Sequence, residues 1–471
     1  MNRYKRYPKY KDSGVEWLGE VPAHWEVKPI KIIASCNDDN VAESLPPDIP
    51  IRYVDISSVS HDKGIIEVKP MLFKDAPSRA RRKAKIGDVV VSTVRTYLKA
   101  VASVDEKYAD CVYSTGFAIL RARREQLNPD YLKWLILNEL FIQAVESHSE
   151  GLSYPAINAS ELVNLKTVVP PVPEQKVIAD FLDHDTARID ALIAKKTRFI
   201  ELLQEKRAAL ITHAVTKGLD PEVKMKDSGV EWIGEIPEHW LIGRLRDFCT
   251  SISTGPFGTA LGVRDYIEDG IPVINPSHIN DGICVPDRTV TVSTKTADRL
   301  SFWALHEGDL IATRRGELGR AAIVTSKEAG WICGTGSLRL TPLSSKATPN
   351  YLYSVLQSGY ARAWLNRESV GSTMPNLNER LIGQVPVVIP PSLAEQMKLL
   401  AKLDQLEQRV AQLIAETQHS IDLLKERRSA FITAAVTGAI DVHAGALNTT
   451  NHISREEKPH ELGTPLLRSD V

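Results

Sequence analysis

A heptad seam that occurs twice constrains this chain more than any other feature. In the first copy Leu182, Ile189, Ile193, Ile200, Leu203 and Leu210, with Thr186, Lys196 and Arg207 in the gaps, follow 4-3 spacing. Leu403, Val410, Ile414, Ile421, Leu424 and Phe431 repeat that register, with Glu407, Thr417 and Arg428 in the same gaps. Such spacing lines one stripe of a helix that pairs with another helix. Polar seam residues disfavour slipped registers at some cost in stability. Each helix would run roughly 65 Å at about 1.5 Å per residue, far beyond a mean globular helix. The alternative is two amphipathic helices, each packed on its own domain. Length weighs against it, so the two copies are expected to pair, antiparallel.

Both helices carry end signals. Pro170-Pro171, with Pro173 and Glu174, opens the first, and Pro390-Pro391 opens the second, where Ser392 and Glu395 have capping-box spacing. Gly218 with Pro221 closes the first, and Gly438 closes the second.

The repeat extends beyond the helices. Lys11 to Trp25 and Lys226 to Trp240 differ at only three of fifteen positions, and each holds two tryptophans. Trp17, Trp25, Trp232 and Trp240 are expected to be packing anchors. Between each such lead-in and its helix lies a region whose middle diverges. Its landmarks still recur: Gly87-Asp88 with Gly308-Asp309, and Gly151 to Pro155 with Gly371 to Pro375. The expected order is a lead-in (1–25), a globule (26–170), a spacer helix (171–218), a second lead-in (219–240), a second globule (241–391), a second spacer helix (392–441) and a disordered tail (442–471). Short strands, Gly/Pro/Asp turns and one helical patch per globule (131–145 and 351–364) give an α/β (α+β) class with an internal two-fold repeat. Two different heads on one scaffold suit a long regular ligand such as DNA, whose half-sites lie about one helical turn, roughly 34 Å, apart.

Composition narrows the class. Net charge is −1, whereas a free-standing nucleic-acid binder is more often basic; binding within a larger assembly remains open. The five cysteines (Cys36, Cys111, Cys249, Cys284, Cys333) form no CxxC pair, which removes the common zinc spacings and suits a reducing cytosol. With no signal peptide and no membrane-length apolar run, a soluble cytoplasmic protein is expected.

No catalytic set stands out: there is no Walker or dinucleotide loop, no GxSxG and no HExxH. Asn275-Pro276-Ser277 only echoes the motif of DNA methyltransferases and reads as a turn, and His184 reads as part of a solvated face. Candidate DNA contacts remain. Lys74, Arg79, Arg81 and Arg82 belong to a basic run that could neutralise phosphates or simply be a solvated loop. Arg95, Thr96, Tyr97 and Lys99 follow the Gly-Asp strand, as Arg314 and Arg315 do in the second copy. Arginine suits bidentate contact with guanine. Phe257, Tyr154, Asn158, Ser372, Thr373 and Asn376 complete the candidates on loops.

With these motifs in place, the chain resembles the specificity subunits of Type I restriction-modification systems. The resemblance rests on the doubled lead-in, on Gly87 to Arg95, on Ser114-Thr115-Gly116-Phe117 to Arg121, on Thr254 to Gly258, and on the paired Pro-Pro…Glu-Gln helix starts. It implies two target-recognition domains joined by antiparallel spacer helices, each reading one half of a bipartite, asymmetric DNA site. It also implies a non-catalytic subunit that recruits two methylation and two restriction subunits. Those partners would carry the S-adenosylmethionine, ATP and Mg2+ sites. Two other readings stay open: a scaffold whose two globules bind proteins, and a methyltransferase-fused enzyme, which lacks a catalytic module in these residues.

Overall fold

The computed structural model describes residues 4–42, 44–280, 282–369 and 377–443. The candidate residues Ser372, Thr373 and Asn376, and the tail from 444 onward, lie outside the described residues. The fold is of mixed α/β class, with two globules and two long helices, Val172–Lys217 and Leu393–Val436. The described residues divide into two compact units, one of residues 4–196 with 419–443, the other of residues 197–418.

In unit 1, the start of the first long helix and the end of the second lie side by side. The Phe181 and Phe431 rings meet with centroids 5.2 Å apart, and Arg428 grips Asp190 at 2.9 and 3.3 Å. The pairing runs 181 to 431 and 190 to 428, so the helices are antiparallel. In unit 2 the roles exchange, and Arg207 of the first helix donates to Glu407 of the second at 2.8 Å. Arg207 and Arg428 hold the same seam position in the two copies, and each finds an acid on the opposite helix. Thr186 and Thr417 instead satisfy their hydroxyls on their own helix, at the carbonyls of Leu182 and Leu413, both at 2.6 Å. Arg207 and Arg428 thus supply polar contacts that fix the register. The apolar seam residues are buried or half-buried, while Leu192 and Leu202 just off the seam are exposed. Gly218 and Gly438 end the helices with φ of 77° and 75°, the left-handed turn that glycine takes without a Cβ penalty.

The globule of unit 1 is built on an antiparallel sheet in the order Val101–Ser103, Val89–Ser92, Phe117–Ala122, Ala34–Cys36. Successive residues point to opposite faces. Val89, Val91, Ala118 and Leu120 join the cluster under the helices, whereas Val90 and Ile119 face a second cluster with Val54 and Tyr113. A five-stranded sheet containing one parallel pair, Val112–Ser114 beside Pro50–Val54, covers that second cluster. Ile178, Ala179 and Leu182 from the start of one long helix, and Ile432 to Val436 from the end of the other, complete the main core.

Unit 2 repeats this plan. Its central sheet runs Cys249–Thr254, Ser337–Pro342, Leu310–Thr313, Ala321–Ile323. Leu310, Ala312, Leu338 and Leu340 pack against Ala214, Val215, Leu399 and Leu403 of the long helices.

Each expected helical patch is two helices. Asn138 interrupts the first and Ser358 the second, giving Pro129–Leu137 with Glu139–Ser147 and Pro349–Gln357 with Gly359–Glu368. The buried Asn138 side chain accepts the Leu140 N–H at 3.1 Å and so caps the second helix of its pair. The tryptophans also differ. Trp25 and Trp240 are 0% and 2% exposed and Trp17 is half-buried, but Trp232 is 43% exposed. Phe141 meets Trp17 edge-on at 6.5 Å, and the second copy has Ala361 at that helix position.

Candidate nucleic-acid interface

One hydrogen-bonded frame recurs at the same end of both central sheets. In unit 1 the Thr93 N–H donates to the Gly116 carbonyl at 2.8 Å, and the Ile157 N–H donates to the Thr93 carbonyl at 2.9 Å. The Thr115 N–H donates to Arg79 at 2.7 Å, so four chain segments converge there. In unit 2 the Arg314 N–H donates to Gly336 at 2.9 Å, and the Leu377 N–H to Arg314, also at 2.9 Å.

On this frame Arg95 stands out. Its φ is 52°, in the left-handed region, where a side chain costs about 1 kcal/mol or more. Its guanidinium lies 5.0 Å over the ring of Tyr154, which is 65% exposed. Tyr97 is also exposed, and Leu152 is fully so. The rest of the run has other duties. Thr96 is buried with its hydroxyl on Ser149 Oγ at 2.9 Å, and so is withdrawn from solvent. Lys99, also left-handed at 49°, reaches Glu139 at 2.6 Å, and that bond holds its ammonium above the usual lysine pKa. Asn158 begins the short helix Ala159–Leu162, where its N–H meets the Glu161 carboxylate at 3.1 Å.

The basic run forms an edge beside this frame. Strand Ala80–Lys83 alternates exposed Arg81 and Lys83 with half-buried Arg82. Lys74 is paired with Asp48 at 2.7 Å, Arg81 covers the Phe73 ring at 5.1 Å, and Arg82 donates to Asn40 at 3.0 Å. Arg79 donates to the Tyr53 hydroxyl at 3.3 Å. Among the described residues Arg79, Arg81, Arg82 and Lys83 pair with no carboxylate, so their charge is available to an anion.

In unit 2 the frame keeps the offset of the two Gly-Asp strands. Arg314 takes the place of Thr93, and Gly316, with φ of 79°, takes that of Arg95. Arg314 is not a counterpart of Arg95: its Nε donates to the Leu377 carbonyl at 2.7 Å, holding the frame together. Arg315 is exposed. The loop from Gly255 presses so tightly on the chain that a Cβ there would lie 1.9 Å from the Gly334 oxygen. That turn leaves Phe257 63% exposed. Phe302, unmarked in the sequence, is 65% exposed on its neighbour Trp303, whose indole N–H donates to Thr254 at 2.9 Å.

Among the described residues no group of His, Cys, Asp and Glu is arranged to hold a metal ion, and no helix is long and apolar enough to cross a membrane.

The profile of the family described as Type I restriction modification DNA specificity domain matches residues 79–202 and 237–422, more than half of the chain. The chain is 24% identical over 270 residues to the Type I restriction enzyme EcoBI specificity subunit of Escherichia coli, an alignment spanning 56% of this chain and 56% of that protein. It is 23% identical over 472 residues to the MjaIX specificity subunit of Methanocaldococcus jannaschii, spanning 94% of this chain and 99% of the relative. A solved chain from a type I R-M system has the same fold, with a TM-score of 0.66 at 22% identity over 88% of this chain and 98% of that one. The chain belongs to the family of Type I restriction modification DNA specificity domains.

Proposed function

We propose that this chain is the DNA-specificity subunit of a Type I restriction-modification complex. Each globule reads one half of a bipartite, asymmetric site, and the paired helices set the gap. One observation carries the reading: a single backbone frame recurs in both globules and presents different side chains. Arg95 stacked on Tyr154 stands on the first; Arg315 and Phe257 stand near the second. A constant frame with variable faces is what two different half-sites require, since base edges are read by side chains while the backbone sets register. The net charge of −1 fits a subunit that shares the duplex with partners. Those partners are two methylation and two restriction subunits. They supply S-adenosylmethionine, ATP and Mg2+ chemistry, and this chain itself catalyses nothing.

The test is methylome sequencing of the host with and without the gene. A bipartite motif lost on deletion is the expected result, and an unchanged methylome in a host with active methylation subunits overturns the reading. Exchange of residues 26–170 for the matching region of a relative changes one half-site only.

A further inference from the structure

The lead-in segment and the start of a long helix build the same cleft in both units, and among the described residues an aromatic side chain fills only that of unit 1. In unit 1 the chain's own arm lays Tyr7 between His24, Trp25 and Glu174. Tyr7 is 7% exposed, its hydroxyl donates to Glu174 Oε1 at 2.6 Å, and its ring lies 5.6 Å from those of both His24 and Trp25. His24 meets Glu174 Oε2 at 3.0 Å, so both carboxylate oxygens are engaged.

Unit 2 has the same residue types at the matching places: Pro237, His239, Trp240 and Glu395. Here His239 and the Trp240 indole N–H both bond Glu395 Oε1 at 2.9 Å, and among the described residues Oε2 accepts nothing. Residues 219–224, which carry no aromatic ring, pass the site, and a cleft of about 430 Å³ lies beside Trp240 and Glu395. Its lining differs in charge from that of unit 1. Three and seven residues after the glutamate, unit 1 has Val177 and Phe181, whereas unit 2 has Lys398 and Lys402; Lys217 and one exposed acid, Asp220, are also on the lining, so its lysines outnumber its two carboxylates, Asp220 and Glu395. Lys402 donates to the Leu219 carbonyl at 2.8 Å; Lys398 and Lys217 meet no carboxylate among the described residues.

We propose that this cleft is a docking site for an extended segment of a partner polypeptide that carries a tyrosine flanked by acidic residues. The filled copy shows the anchor: a phenol hydroxyl donated to the helix-start glutamate, its ring against the tryptophan. The empty copy offers Glu395 Oε2 for that hydroxyl and lysines for the flanking carboxylates. The same lysines reject the arm of a second copy of this chain, which brings Lys5, Arg6 and Lys9 on either side of its tyrosine. The inference concerns a protein partner and stands apart from the reading of DNA.

The experiment titrates the full-length chain with fluorescein-labelled peptides and follows anisotropy. One peptide copies residues 4–10 with Lys5, Arg6 and Lys9 replaced by glutamate, a second also has Tyr7 replaced by phenylalanine, and a third is the unaltered arm. The acidic tyrosine peptide is expected to bind saturably, and the phenylalanine form about tenfold more weakly, the loss of one charge-assisted hydrogen bond. Lys398→Glu with Lys217→Glu, both exposed positions, is expected to weaken the acidic peptide by at least about tenfold. Absence of saturable binding by the acidic peptide overturns the proposal, as does equal binding by the phenylalanine form. Tighter binding of the unaltered arm overturns it in favour of a second copy as occupant. Thermal unfolding checks the lysine variants, and the peptide comparison on the unmodified chain decides if they unfold.

Discussion

Arg121 holds the buried carboxylate of Asp88 through two nitrogens, Nε at 2.9 Å and Nη2 at 2.7 Å. Asp88 is 1% exposed, and its other contact is the Lys85 N–H at 2.7 Å, which closes the turn leading into Val89–Ser92. In the second repeat Asp309 closes the same turn on the His306 N–H, but the residue across the sheet is Thr341, whose hydroxyl donates at 2.7 Å. The aspartate is therefore scaffold, and what its carboxylate binds across the sheet differs between copies, a guanidinium in one and a hydroxyl in the other.

Removing the guanidinium leaves a buried charge without its partner, which costs far more than losing an exposed ion pair. Arg121→Leu is expected to lower stability by about 3 kcal/mol. Thr341→Val, which removes one hydroxyl bond, should cost about 1 kcal/mol. Urea midpoints at unchanged slope measure both, and the reverse order would show that Asp88 is solvated once Arg121 is gone.

His213, half-buried on the first long helix, gives a pH dependence. Burial, and then the charge of Lys217, lowers its pKa below the ordinary 6.5. The folded chain thus binds this proton less readily than the unfolded chain. Its contribution to stability is fully present above 6.5 and is lost as pH falls through the lowered folded value. Thermal unfolding followed from about pH 7 down to about pH 5 should show a shallower decline in His213→Gln than in the unmodified protein. Identical slopes would place the titration elsewhere.

Much of the scaffold was legible because it is written as period and punctuation. The heptad steps, the Pro-Pro starts and the glycine stops placed both long helices to within a few residues. The split at Asn138 was not legible, because apolar residues continue on both sides of it and only the buried cap shows that the chain turns. The role of the Glu-Gln pairs was hidden as well. Gln175 is fully buried, accepts the Asn128 N–H at 2.8 Å and donates to the Pro170 and Gln126 carbonyls; Gln396 does the same with Thr348, Pro390 and Lys346. Only the repetition of Glu-Gln signalled it. At the candidate site the loop after the strand was not legible. It holds five residues from Arg95 to Lys99 but four from Gly316 to Gly319, and sequence spacing does not show which residue turns left-handed.

Arg95 separates backbone from chemistry. Arg95→Gly keeps the left-handed turn that Gly316 makes in the other copy, so stability should stay within about 1 kcal/mol of the original. Recognition of one half-site should weaken by about 1–3 kcal/mol, the value of a good base contact, and Arg95→Ala should match that loss. Binding of the assembled complex to duplexes altered in one half at a time measures it. Weakening in both halves would mean that Arg95 acts through the fold.

The last prediction concerns the two long helices. If their length sets the gap between half-sites, four residues of seam-compatible helix added near Ile193 and Ile414 lengthen each by roughly 6 Å. At about 3.4 Å per base pair that is under two base pairs, and tilt against the duplex reduces it further. The modified motif of the lengthened protein should carry a spacer longer by about one or two base pairs. Its half-sites should be unchanged, because no side chain moves within its globule. The insertion also alters the seam phase and turns one head by tens of degrees, which DNA must absorb by twisting, so affinity should fall. An unchanged spacer with activity retained would show that the helices hold the globules without measuring the distance between them.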